Sequence, residues 1–161
     1  MPTIRAMAEN DVLAVAALLG ASWRRTYGPI MGVERVAEAS SRYHAPTRIA
    51  KELIDPSKTS LIAETEAGIV GYATSEADPS GAVVLDRLHI DPSQFGTGLA
   101  ADLLNAICAS YPGLAAISLE VVDCNDRAVA FYRKQGFQVI DHRPTSHGAD
   151  DYLSFIMEKR L

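Results

Sequence analysis

Leu85-Asp86-Arg87-Leu88-His89-Ile90-Asp91-Pro92-Ser93-Gln94-Phe95-Gly96-Thr97-Gly98-Leu99-Ala100-Ala101 reads as an apolar strand, a turn, a glycine-rich loop and the first turn of a helix. Gly96 and Gly98 leave the loop amides unshielded by side chains. The helix that follows opens with unpaired N–H groups and a partial positive charge. A strand, a bare loop and a helix N-terminus in this order make a seat for a phosphate. The flanking sequence decides which phosphate it is and what chemistry runs beside it.

Upstream, three strands follow one another. Ser60 to Glu64 and Ile69 to Ser75 flank the turn Glu66-Ala67-Gly68, and Pro79-Ser80-Gly81 leads into a third strand, Ala82 to Ile90. Short turns between consecutive strands imply an antiparallel meander. Before it, Thr3 to Met7 alternates as a short strand. Asn10 or Asp11 is placed to cap a helix to about Trp23, with Val12, Val15, Ala16 and Leu19 on one stripe. Gly28-Pro29 predicts a break, which would leave Trp23 and Tyr27 between two helices, the second running from Val33 to Arg42. A third helical piece spans Pro46 to Leu53.

Downstream, the helix from Thr97 to about Ser110 carries Leu99, Leu103, Ala106 and Ile107 at helical spacing and stops at Pro112-Gly113. Ala115 to Val122 is a strand. Asn125 or Asp126 caps a helix whose inner face is Ala128, Phe131, Tyr132 and Gln135. Gly136 suits the left-handed position after that helix, and Phe137 the apolar contact beyond it. Phe137 to His142 and Tyr152 to Met157 are the last two strands, around a polar loop from Arg143 to Asp151. This order predicts a single α+β (mixed α/β) domain over residues 1–161. Its mostly antiparallel sheet of about seven strands has helices on both faces, and a right-handed parallel crossover joins the Ala82 to Ile90 strand to the Ala115 to Val122 strand.

Composition narrows the function. A net charge of −5 with no Lys/Arg block argues against nucleic acid and mildly favours a cationic small substrate. Cys108 and Cys124 are too few for a disulfide scaffold, and no Cys-x-x-Cys or Cys/His cluster suggests a metal. The apolar run from Val12 to Leu19 lacks a basic leader and is far too short to span a bilayer. A cytoplasmic protein with reduced thiols, bound to neither membrane nor nucleic acid, is therefore expected.

Three phosphate ligands compete for the loop. A nucleoside-triphosphate loop needs Gly-Lys-Ser/Thr, whereas Gly98 is followed by Leu99-Ala100. A dinucleotide fingerprint fits Gly96-x-Gly98-x-x-Ala101, with Glu120 at about the distance of a ribose-binding acid. Against it, Asp91 to Phe95 separate strand from glycine where that fold turns at once. Glu120 also sits inside a strand, before Val121-Val122, and the chain after it is too short for a second half-sheet.

The third ligand comes with a resemblance. Phe95-Gly96-Thr97-Gly98-Leu99-Ala100 is similar to the Gln/Arg-x-x-Gly-x-Gly/Ala motif of the GCN5-related N-acetyltransferase (GNAT) superfamily, with Phe95 in place of the usual Gln or Arg and Gln94 one residue early. Ile90-Asp91-Pro92 matches that family's preceding Val/Ile-x-Pro. The segment Asn125-Asp126-Arg127-Ala128-Val129-Ala130-Phe131-Tyr132-Arg133-Lys134-Gln135-Gly136-Phe137 resembles its Asn-x-x-Ala-x-x-Phe-Tyr-x-x-x-Gly-Phe. The two motifs stand in the family's order and spacing.

The resemblance implies an acyl-CoA N-acyltransferase fold and a direct, metal-free acetyl transfer from acetyl-coenzyme A to a primary amine, in a small amine, a polyamine or a peptide. It implies loop amides of Gly96, Thr97, Gly98, Leu99, Ala100 and Ala101 on the pyrophosphate. Backbone groups of Leu88 and Ile90 would meet the pantetheine arm, and Asn125 would bind near its end. Tyr132 would protonate the leaving sulfur, with core packing as its alternative. Glu120 would take the amine's proton, unless it is simply paired with a nearby cation. Asp86 and His89 are further candidates, but strand alternation sends them to opposite faces. Trp23 and Tyr27 would wall the amine pocket, with Asp86 beside it, or simply pack the core. His44, His142 and His147 read as solvated surface, and the two cysteines as packing residues. A homodimer is the form such proteins often take. A coenzyme-binding domain without turnover is the alternative in a different class.

Overall fold

A computed structural model describes residues 1–146 and 151–161 of the chain. Its strands are β1 (Thr3–Ala6), β2 (Lys58–Thr65), β3 (Gly68–Ala77), β4 (Val83–Ile90), β5 (Ala116–Val122), β6 (Gln138–Pro144) and β7 (Leu153–Arg160). Its helices are α1 (Val12–Met31), α2 (Val33–Tyr43), α3 (Pro46–Leu53), α4 (Leu99–Ala109) and α5 (Asp126–Lys134). The strands form one sheet in the order β1-β2-β3-β4-β5-β7-β6. Every pairing is antiparallel except β4 with β5, which α4 joins as the crossover. A sheet with one parallel pair is not the doubly wound sheet of a dinucleotide fold.

Each face of the sheet buries its own apolar layer. Val12, Val15 and Leu19 of α1 pack with Ile49 of α3 on Ile62 and Tyr72. Leu99, Leu103, Leu104 and Ile107 of α4 pack with Val129 and Tyr132 of α5 on Ala73, Leu85, Ile117 and Leu119. The alternation in β5, where Ile117, Leu119 and Val121 are buried and the residues between them half-buried, follows from the period of two. Among the described residues, no helix is long and apolar enough to cross a membrane.

The structure departs from the sequence reading in three places near the N-terminus. The Gly28-Pro29 break does not occur, and α1 continues to Met31 with Pro29 inside it. Pro29 lies in the last turn, where it costs a single backbone bond, and the helix ends instead where Gly32 takes φ +96°. Trp23 and Tyr27 therefore lie within α1, one turn apart. Asp11 occupies the cap position of α1, but its side chain makes no cap bond to that helix. Its carboxylate accepts from the Ala8 N–H (2.8 Å) and pairs with Arg5, which also holds Glu64 and so ties β1 to β2.

At the other end, Gly136 takes φ +97° and Phe137 N–H donates to the Tyr132 carbonyl (3.0 Å), as the motif's spacing predicts. β6 runs on to Pro144, so the polar connection to β7 is shorter than the sequence suggests. His147, expected in that loop, lies outside the described residues.

Gly71 fixes how closely α4 sits on the sheet. A Cβ built there would lie 2.9 Å from Leu103 Cδ1, 3.2 Å from Ile90 Cδ1 and 3.3 Å from Ala63 Cβ. Gly71→Val is expected to lower stability by about 1–3 kcal/mol through overpacking, read as a reduced urea midpoint.

Candidate active site

The geometry of the site starts from where β4 and β5 stop pairing. Their ladder covers only Val83–Ile117, Val84–Ser118 and Leu85–Leu119. At the next residue, Asp86, the β3–β4 register shifts, so that Thr74 faces Arg87 while Ser75 faces Leu85. Asp86 is thus the extra residue of a β-bulge, and a bulge bends and twists its strand. β4 turns away from β5 at the point where the ladder ends.

The bulge overturns the alternation argument for Asp86 and His89. Leu85 and Leu88, three residues apart, both face α4, and this releases Asp86, Arg87 and His89 to the α1 face together. Asp86 accepts from Lys58 Nζ (3.0 Å), Arg87 pairs with Glu52 and donates to the Tyr43 carbonyl (2.9 Å), and His89 Nδ1 bonds Ser22 Oγ (2.8 Å). Asp86 and His89 line one cavity.

That cavity, about 580 Å³, passes through the gap between the two strands. Seven of the residues expected at the site line it: Trp23, Tyr27, Asp86, Leu88, Glu120, Asn125 and Tyr132. Ile90 and the loop from Gly96 to Ala101 are not part of its lining. The loop lies where β4 runs on into α4, with Gly96 at φ +78° and Gly98 at φ +88°. Among the described residues, the N–H groups of Gly96, Gly98, Ala100 and Ala101 have no acceptor, while that of Thr97 bonds the Gln94 carbonyl (3.3 Å).

Tyr132 stands on α5 at the cavity wall, 9% exposed and packed edge-on against Phe131 and Phe137. Burial pushes its phenol well above the ordinary tyrosine range, with Tyr27 adding to the shift. Its hydroxyl makes no hydrogen bond to another described residue, so it holds a proton and leaves it available to the cavity. Asn125 caps α5 through Ala128 N–H (3.3 Å) and donates to Tyr27 Oη (3.1 Å), tying α5 to α1 across the gap. The Glu120 carboxylate accepts from Ser146 N–H (2.9 Å), Ser146 Oγ (2.5 Å) and Thr145 Oγ1 (3.3 Å). These contacts orient it from the end of β6.

The acceptor side is aromatic. Trp23 meets Tyr27 at 5.9 Å, Tyr43 at 6.0 Å and His44 at 4.5 Å between ring centroids. His44 is buried, bonded to Ser40 Oγ (2.8 Å), and is not the solvated residue expected from sequence. His142 is the partly exposed one, paired with Asp123 at 2.9 Å. Burial, with Arg87 and Arg25 nearby, holds the His89 imidazole down to about 4, so it is neutral at physiological pH. Asp86 is shifted the other way: burial raises its carboxyl above the usual range, against the pull of Lys58. The partners Lys58, Ser22, Tyr43, Ser146 and Thr145 carry no signal in the linear sequence, since each reaches its partner only across the sheet.

Comparison with known proteins agrees with this architecture. A model of the acetyltransferase (GNAT) family matches residues 19–137. An uncharacterised N-acetyltransferase of Mycobacterium tuberculosis is 29% identical over 154 residues, covering 94% of this chain and 99% of that protein. An IAA acetyltransferase of Azospirillum brasilense is 32% identical over 112 residues, covering 68% and 72%. The crystal structure of a PaiA N-acetyltransferase from Thermoplasma acidophilum in complex with coenzyme A superposes with a TM-score of 0.85 at 22% identity, covering 100% of this chain and 99% of that one. The parted strands, the glycine loop and the Asn125 to Phe137 segment thus have a common explanation: the chain belongs to the acetyltransferase (GNAT) family of N-acetyltransferases.

Proposed function

We propose that the protein transfers an acetyl group from acetyl-coenzyme A directly to the primary amine of a small molecule. The observation that carries this reading is the gap between β4 and β5, with a proton-bearing tyrosine on its wall and a row of free amides at the loop that follows β4. The residues fit the coenzyme. Four N–H groups without acceptors suit its pyrophosphate, and the gap gives an extended arm a way between the strands. The fully buried Ser154 Oγ at the cavity wall has no partner among the described residues and would gain one from a polar ligand.

When bound, the coenzyme supplies the activated acetyl group as a thioester. The chain's own residues then handle two protons. Tyr132, like any tyrosine, carries its proton at neutral pH, and burial disfavours the phenolate further, so a proton is at hand for the departing sulfur. Glu120, fixed by Ser146 and Thr145, takes the proton that the amine must lose. His89, neutral beside the same cavity, adds no positive charge that would repel an incoming ammonium.

The walls support a small amine more than a polyamine. Glu76 and Asp86 share the single Lys58, and Glu52 holds Arg87 and Arg48, so each of these carboxylates already has a cation partner within the protein. The Tyr43 ring already carries Arg48 at 4.8 Å, and Trp23 and Tyr27 line the cavity where an ammonium would make cation–π contact.

Acetyl-coenzyme A is expected to raise the melting temperature while NAD leaves it unchanged, and absence of a shift with acetyl-coenzyme A would sink the reading. In thiol-release assays on a panel of small amines and polyamines, Tyr132→Phe should lower kcat about tenfold to a thousandfold with little change in coenzyme affinity. An unchanged kcat removes Tyr132 from the reaction.

His89 also predicts a pH dependence. Its folded pKa of about 4 lies below the ordinary 6.5, so the unfolded chain takes up this proton first. Its contribution to stability is complete above about 6.5 and is lost as the pH falls towards 4. Urea midpoints of the parent protein should therefore fall more steeply over this range than those of His89→Gln. Parallel curves would show that His89 does not titrate in this way.

A further inference from the structure

We propose that Arg25 and Arg127 form a guanidinium clamp for the diphosphate of the bound coenzyme, held in place by the ring of Phe95. This inference rests on the coenzyme reading of the glycine loop. Phe95 opens that loop, immediately before Gly96, and its side chain offers no polar group where the resembled motif has Gln or Arg. Its ring is 38% exposed but not bare. The Arg127 guanidinium carbon lies 3.4 Å from the ring centroid and that of Arg25 lies 5.6 Å away. One comes from the first turn of α5 and the other from α1, so two separate helices converge on the loop.

Electrostatics makes this an unfavourable arrangement for the protein alone. Two like charges share one ring, and among the described residues neither guanidinium has a carboxylate within ion-pair distance or any hydrogen bond. Arg127 stands at a helix N-terminus, where the helix dipole disfavours a cation. Beside these cations, the N–H groups of Gly96, Gly98, Ala100 and Ala101 point to no acceptor. Asp91 is the carboxylate that feels Arg25, and it is turned onto Ser93 without forming an ion pair; donors and positive charge otherwise dominate the loop, and a multiply charged anion would satisfy both. Stacking on a ring face leaves the N–H edge of a guanidinium free, and that planar edge matches pairs of phosphate oxygens. The missing polar side chain at position 95 is thus replaced from a distance, with Phe95 as the platform that limits the freedom of two long side chains.

The test is calorimetric titration of the full-length protein, Arg127→Ala and Arg25→Ala with coenzyme A and with 3′-dephospho-coenzyme A, each at low and high salt. Each substitution is expected to weaken both ligands by the same factor, roughly tenfold to a hundredfold for a charged hydrogen bond, and to reduce the salt dependence of binding. Unchanged affinity in both variants overturns the clamp. A loss confined to coenzyme A moves the contact to the 3′-phosphate and overturns the diphosphate assignment. If the parent protein binds neither ligand, the coenzyme reading itself fails, which the variants cannot mimic. Because the two arginines lie on different helices, misfolding of one variant still leaves the other to decide.

Discussion

The short ladder between β4 and β5 governs the rest of the molecule. Parallel strands joined by a helix would ordinarily pair along their length, and a closed sheet here would have no interior opening. Three paired positions are enough to hold the crossover, and the bulge at Asp86 then bends β4 away. The gap so formed accounts for the shape of the cavity, which takes its walls from both faces of the sheet. It also accounts for the position of α5, whose Tyr132 and Asn125 stand beside the gap and not over a continuous sheet.

Once the gap exists, the polar groups around it sort into two kinds. Those on the α1 face are mostly satisfied within the protein: Lys58 by two carboxylates, Arg87 by Glu52 and Tyr43, Glu120 by Ser146 and Thr145. Such pairing fixes the side chains in place. The N–H groups of Gly96, Gly98, Ala100 and Ala101, and the hydroxyl of Tyr132, have no partner among the described residues. Fixed walls with a few unsatisfied donors are what a binding site requires, since unsatisfied donors cost the empty protein free energy that a ligand returns.

Asn125 shows how one residue can serve fold and site together. Its carbonyl oxygen caps α5 and its amide reaches Tyr27, so the helix carrying Tyr132 and the helix carrying the aromatic wall are linked through a single side chain. The raised phenol of Tyr132 follows from the same packing: Phe131 and Phe137 exclude water from its ring. Packing and proton affinity at this position have one cause, so the core role read from the sequence and the proposed catalytic role are compatible.

The order of strands and helices, the bare glycine loop at 96 and 98 and the left-handed glycine at 136 were legible in the sequence, because each rests on local rules: period, turn chemistry and backbone freedom within a few residues. The expectation that Trp23, Tyr27, Asn125 and Tyr132 share one site came from the family resemblance, and all four line the same cavity. The tertiary structure alone decided that α1 runs through Pro29, that His44 is buried, and that Asp86 and His89 face the same cavity. It also decided that Lys58, Ser22 and Ser146 hold the candidate residues, and that Arg25 and Arg127 meet on Phe95. These depend on register and on contacts between segments far apart in the chain. A one-residue bulge reverses the facing of every residue beyond it, and no local pattern records it.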